Sequence, residues 1–152
     1  MKYDPEKHHR RSIRLQGYDY TSTGAYYVTL VAQGRACLFG EIANGNVTRS
    51  LLGEIVQTEW FRSAEIRKEI RLLNNEFIVM PNHIHGIIWI VDNPVGADGV
   101  RPDMNDNETC QDRGAYHAPL RRVPRSLSSF IAGFKASVTS RARRELDIST
   151  VW

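Results

Sequence analysis

Glu76-Phe77-Ile78-Val79-Met80-Pro81-Asn82-His83-Ile84-His85-Gly86-Ile87-Ile88-Trp89-Ile90-Val91 holds two apolar, β-branched runs either side of a Pro-Asn dipeptide. Phe77 to Met80 and Ile84 to Val91 have strand length and strand composition, and Pro81-Asn82 is turn chemistry. The stretch therefore predicts a tight β-hairpin. Side chains alternate across a strand, so His83 and His85 leave one face of the sheet while Ile84 leaves the other. Two neutral imidazoles on one rigid strand make a plausible bite for a divalent cation. They also suit a structural role, as histidines satisfied by hydrogen bonds within the fold, and both readings stand at this point. Apolar strands seldom spend two titratable positions without a partner for each.

Around this hairpin the chain has 152 residues, a net charge of +3 and 41% hydrophobic residues, enough for one domain with a core. The charge is uneven. From Arg121 to Trp152, seven basic residues (Arg121, Arg122, Arg125, Lys135, Arg141, Arg143 and Arg144) face two acidic ones, Glu145 and Asp147. Such a local field suits a phosphate backbone; it also suits a solvated helix face. Cys37 and Cys110 are far apart and in no metal-ligand spacing, as expected of reduced thiols in a cytoplasm. No signal peptide and no apolar run of the ~20 residues needed to span a bilayer is visible. A soluble cytoplasmic protein with no membrane partner is expected.

Upstream, residues 1–23 form a polar, aromatic arm with the basic cluster Lys7-His8-His9-Arg10-Arg11, whose histidines fit a surface better than a metal site. Tyr26 to Gln33 predicts a first strand, with at least one of Tyr26 and Tyr27 in the core, and Ala36 to Phe39 a second after the Gly34-Arg35 turn. Asn44-Gly45-Asn46 predicts another turn, before Val47-Thr48. Ser50 is a candidate N-cap for a helix whose Leu52, Ile55, Val56 and Trp60 share a face. Arg62 to Leu73 is expected to continue or resume it. Trp60 reads as core.

Downstream, residues of about 93–124 lack any period and are rich in Asp, Asn, Gly and Pro, which predicts a long flexible loop. It contains Tyr116 and His117. Ser126 then caps a second helix with Leu127, Phe130, Ile131, Phe134, Val138 and Ala142 as its buried stripe. Its basic remainder is the candidate surface for a DNA strand crossing the sheet. The closing run Ile148-Ser149-Thr150-Val151-Trp152 is apolar with nothing after it to pack against. The expected architecture is a single α+β domain over residues 24–152, an antiparallel four- to five-stranded sheet with helices packed on one face.

Met80-Pro81-Asn82-His83-Ile84-His85-Gly86 resembles the Met-Pro-Asn-His-hydrophobe-His signature of the HUH single-tyrosine transposases. The nearer likeness is to the REP-associated tyrosine transposases and insertion-sequence 200-like transposases. Arg11-Ser12-Ile13-Arg14-Leu15, Gly24-Ala25-Tyr26-Tyr27-Val28-Thr29-Leu30, Cys37-Leu38-Phe39-Gly40-Glu41, His117-Ala118-Pro119-Leu120 and Ser126-Leu127 through Phe134-Lys135 match in order. The resemblance spans nearly the whole chain.

It implies a ferredoxin-like sheet with the histidine pair central and a divalent metal, Mg²⁺ or Mn²⁺, held by His83 and His85 against a scissile phosphate. It also implies strand transfer of single-stranded or hairpin DNA through a 5′-phosphotyrosine, in a nucleoid-associated protein that is a monomer or a homodimer. The chain departs from the pattern in one respect. The relatives carry their tyrosine in a Tyr-Ile-x-x-Asn-Pro-like segment on a C-terminal helix, and none of Tyr3, Tyr18, Tyr20, Tyr26, Tyr27 and Tyr116 stands in such a motif. The expectation is thus an apparently truncated transposase with impaired chemistry, Tyr116 the weak substitute, the third ligand unassigned. The alternative is a non-catalytic module for single-stranded or hairpin DNA.

Overall fold

The structure, a computed structural model, describes Leu15, residues 17–91 and residues 124–152. The N-terminal basic cluster and residues 93–123 of the expected loop, with Cys110, Tyr116, His117, Arg121 and Arg122, lie outside the described residues.

Strands β1 (Gly24–Val31), β2 (Gly40–Ala43) and β3 (Asn46–Arg49) precede helix α1 (Leu51–Ile66); β4 (Ile70–Arg71), β5 (Phe77–Met80), β6 (His83–Ile90) and helix α2 (Leu127–Leu146) follow. The main sheet is antiparallel and four-stranded, with β6 at its centre. β1 runs along the whole of β6, Gly24 opposite Ile90 through Val31 opposite His83. On its other side β6 takes two short strands in succession. β5 pairs from Phe77–Gly86 to Met80–His83, and β4 pairs Ile70 with Ile90 and Arg71 with Trp89. Met80 opposite His83 confirms the two-residue Pro81-Asn82 turn. The Pro81 carbonyl accepts from Phe39 N–H (2.8 Å) and the Asn82 carbonyl from Ala32 N–H (2.9 Å), tying the turn to the segment after β1.

The domain is α+β, with both helices on one face. Ser50 and Ser126 cap them, their hydroxyls accepting from the amides of Gly53 and Ser129 at 3.1 Å each. Trp60, fully buried, stacks on Phe77 and meets Phe130 and Phe134 edge-on. Gly86 makes this possible. A Cβ at that position would lie 2.5 Å from the Trp60 ring, so the indole seats on the β6 backbone only because no side chain is there. Phe130, Phe134, Val138 and Ala142 are buried as the stripe predicts, while Leu127 and Ile131 pack partly buried at its edge. Beneath them Glu59, 3% exposed, joins the helices: it accepts from Arg141 (3.2 Å) and from the Ser137 hydroxyl, with Arg62 at 3.6 Å.

Three expectations are corrected. Ala36 to Phe39 is not a strand. Phe39 is buried and its backbone serves the Pro81 carbonyl and the Ser50 amide (3.0 Å), so β2 starts at Gly40 and pairs only with β3, in a separate hairpin. The helix does not run on to Leu73; it stops at Ile66, because Ile70 gains a strand partner in Ile90 and tertiary pairing outweighs its helical spacing. The closing apolar run is not left unpacked. After a left-handed Asp147 (φ 56°), Val151 is buried and its carbonyl accepts from Gln33 N–H (2.9 Å). Trp152 lies against Phe39 and Phe134, with the Lys135 ammonium over its ring. Among the described residues no helix is long and apolar enough to cross a membrane.

Candidate functional site

Burial along β6 alternates without a break: Ile84, Gly86, Ile88 and Ile90 are buried under the helices, and His83, His85, Ile87 and Trp89 are half-buried on the opposite face. Among the described residues that face carries no helix. Its floor includes Tyr27, Val31 and Ile78, all exposed, beside the histidines. His83 and His85 come together as the strand period requires, their ring centroids 4.6 Å apart and their planes at 77°.

Each imidazole is held through Nδ1. For His83 the partner is Asn82 Oδ1 at 2.6 Å. The amide nitrogen of Asn82 donates to the Arg35 carbonyl (3.3 Å), which turns its oxygen towards the ring. A carboxamide oxygen only accepts, so His83 carries its proton on Nδ1 and leaves the Nε2 lone pair for a ligand. His85 takes its partners from β1: the Tyr27 hydroxyl at 2.7 Å and the Thr29 hydroxyl at 2.9 Å both meet Nδ1. The Tyr27 ring also stacks on the imidazole, 5.5 Å away at 18°. Burial, and after it the neighbouring His85, pushes the His83 imidazole below its ordinary pKa, which favours the neutral, ligating form.

Both imidazoles fit a divalent cation in donor type, and His83 fits it in tautomer and charge as well. Among the described residues no cluster of three or more His, Cys, Asp or Glu is assembled, so the pair is met there by no third such ligand. At the far end of the same face Trp89 donates its indole N–H to Glu76 (2.6 Å) and has the Arg71 guanidinium over its ring.

The described basic residues of the C-terminal region, Arg125, Lys135, Arg141, Arg143 and Arg144, do not join the histidines. α2 lies on the other side of the sheet, and its basic side chains have unequal employment. Arg141 is committed to Glu59 and, at 2.8 Å, to Glu145. Lys135 stands over Trp152, Arg144 is exposed with Glu145 3.6 Å away, Arg143 is exposed, and Arg125 takes a left-handed conformation (φ 57°) just before the helix. A strand running from Arg143 or Arg144 to His83 has to pass round an edge of the sheet. Three of the groups that hold the imidazoles carry no such role in the sequence alone. Asn82 stands in the sequence as a turn residue and as part of the Met80-to-Gly86 signature, with no role towards His83 attached to it. Tyr27 and Thr29 share the alternation of β1, but nothing in the sequence states that β1 lies beside β6 or in which register.

A protein of Haemophilus influenzae described as uncharacterized is 35% identical to this chain over 151 residues, covering 99% of the chain and 78% of that relative. No family model and no solved structure matches. The chain belongs to the same family as the Haemophilus protein.

Proposed function

We propose that the chain is a DNA-binding protein of the HUH tyrosine-transposase type, acting on single-stranded or hairpin DNA, its strand transfer impaired because none of its tyrosines stands in the matching motif. The observation that carries the reading is the histidine pair: adjacent on the face of the central strand that no described helix covers, each ring anchored at Nδ1, with His83 Nε2 left for a ligand. The Met80-to-Gly86 signature adds the resemblance. His83 and His85 would hold Mg²⁺ or Mn²⁺; bound there, the cation would supply Lewis-acid polarisation of a scissile phosphate. The chain's own part is to orient the two imidazoles and keep His83 neutral. In the covalent step a tyrosine phenol oxygen bonds to phosphorus, the bond from phosphorus to the 3′-oxygen breaks, and the phenolic proton ends on that oxygen. The proposed setting is cytoplasmic, at the nucleoid.

A second reading is a non-catalytic module that holds single-stranded or hairpin DNA. It is favoured by the pair having no third His, Cys, Asp or Glu ligand among the described residues. One experiment separates the two. The protein is incubated with Mn²⁺ and a labelled single-stranded oligonucleotide, then denatured in detergent. A covalent adduct that survives, and is lost in His83→Ala, supports the transferase. Retained binding without an adduct supports the module. Unchanged Mn²⁺ affinity in His83→Ala sinks the metal site in either version.

A further inference from the structure

We propose that Tyr27 and Thr29 are positioning residues for His85, jointly accepting its Nδ1–H and so presenting Nε2 as a cation ligand. The inference rests on the metal-binding reading above and adds which residues make the second imidazole fit for it.

The two histidines are supported by different chemistry. Asn82 Oδ1 can only accept, and it dictates the His83 tautomer by itself. A hydroxyl both donates and accepts, so neither Tyr27 nor Thr29 alone dictates the tautomer of His85. If they donate, the ring proton sits on Nε2 and that nitrogen ligates nothing. If they accept, Nδ1–H is shared between oxygens at 2.7 and 2.9 Å and Nε2 is bare. The second arrangement gives both rings the same outward nitrogen, as a shared cation requires. Geometry supports a directed role. Thr29 lies directly opposite His85 in the register, whereas Tyr27 lies opposite Ile87 and leans diagonally to reach the ring. Tyr27 is 66% exposed, so burial does not account for its placement, and its face-on stack restricts rotation of the imidazole.

The test uses the chain as it stands, with Mn²⁺ as probe, and compares wild type, Thr29→Ser, Thr29→Val, Tyr27→Phe and Tyr27→Phe/Thr29→Val by titration calorimetry. Removing partners of this kind typically weakens metal affinity by ~10–100-fold, and that loss is expected for the double variant, with smaller losses for Thr29→Val and Tyr27→Phe. Thr29→Ser, which keeps the hydroxyl, should bind as wild type does. Thermal unfolding should be nearly unchanged throughout, since a purely structural role would move stability and leave affinity alone. A long-range ¹H–¹⁵N spectrum of the metal-free wild type should show His85 protonated at Nδ1, and the double variant should lose that preference. Protonation at Nε2 in the wild type overturns the inference without reference to any variant. Equal Mn²⁺ affinity in wild type and double variant overturns it while leaving the metal site standing. No uptake by the wild type overturns both.

Discussion

The eight residues of β6 fall alternately on two faces, four to each, that are built under opposite rules. On the helix side, Ile84, Ile88 and Ile90 are closed off and Gly86 is emptied of a side chain so that Trp60 can lie on the backbone. On the other side, no described element covers the polar groups, and the two imidazoles are held by hydrogen bonds shared with Asn82, Tyr27 and Thr29. Shape complementarity does the work on one face and donor–acceptor complementarity on the other. The strand can serve both because its period of two keeps the sets apart. Substitutions on the helix face should therefore cost stability, and those on the open face should cost ligand binding.

Four experiments can break that division. The largest effect belongs to Trp60→Ala, which empties the centre of the aromatic cluster and should cost about 3–5 kcal/mol in urea unfolding. A loss under about 1 kcal/mol would mean the helix layer is not what holds the sheet. Gly86→Ala comes next, at about 1–3 kcal/mol, because its methyl would meet a rigid ring packed against Phe77, Phe130 and Phe134. Tolerance of alanine there would remove the physical reason for the glycine in the motif. Arg141→Ala, by stranding the buried Glu59 carboxylate with weaker partners, should cost about 1–3 kcal/mol, while Arg143→Ala should stay within about 0.5 kcal/mol. If both variants were silent, the ion pair between the helices would contribute nothing. The smallest effect is electrostatic. The folded His83 has a lower pKa than the unfolded one, so the unfolded chain binds more protons in the window below the ordinary histidine value. This contribution is fully present above that value and is lost as pH falls. Unfolding curves across that window should show stability declining, and His83→Ala should flatten the decline; an identical slope in the variant would assign the decline elsewhere.

How much of this could be read from residues alone differs between the faces. The hairpin, its turn, both helix caps and the buried stripe of α2 were legible because each is written in a local period or a neighbouring residue. The side of the sheet taken by His83 and His85 followed from alternation. What could not be read depends on pairing between distant segments. Ile70 looks helical until Ile90 is beside it. Phe39 looks like a strand residue until the Pro81 carbonyl takes its amide. Arg141 looks like its basic neighbours until Glu59, 82 residues away, claims it. The same limit hid Tyr27 and Thr29 from the site, since their relation to His85 exists only in the register of β1 with β6. Asn82 was hidden differently: adjacent to His83, it was explained sufficiently by the turn.

The separations that hid these partners also order the assembly of the site in time. Asn82 is the neighbour of His83, and β5 joins β6 through two residues, so this half belongs to a hairpin, a unit that forms in about 1–10 μs. Tyr27 and Thr29 stand 58 and 56 residues from His85 and must wait for a long loop to close. The hairpin brings Asn82 to His83, but the Arg35 carbonyl that turns the Asn82 amide is 47 residues away, so neither imidazole has all its supports before the segment around β1 docks. The proposed chelating grip needs both imidazoles, so cation capture would report completion of the sheet and not its nucleation.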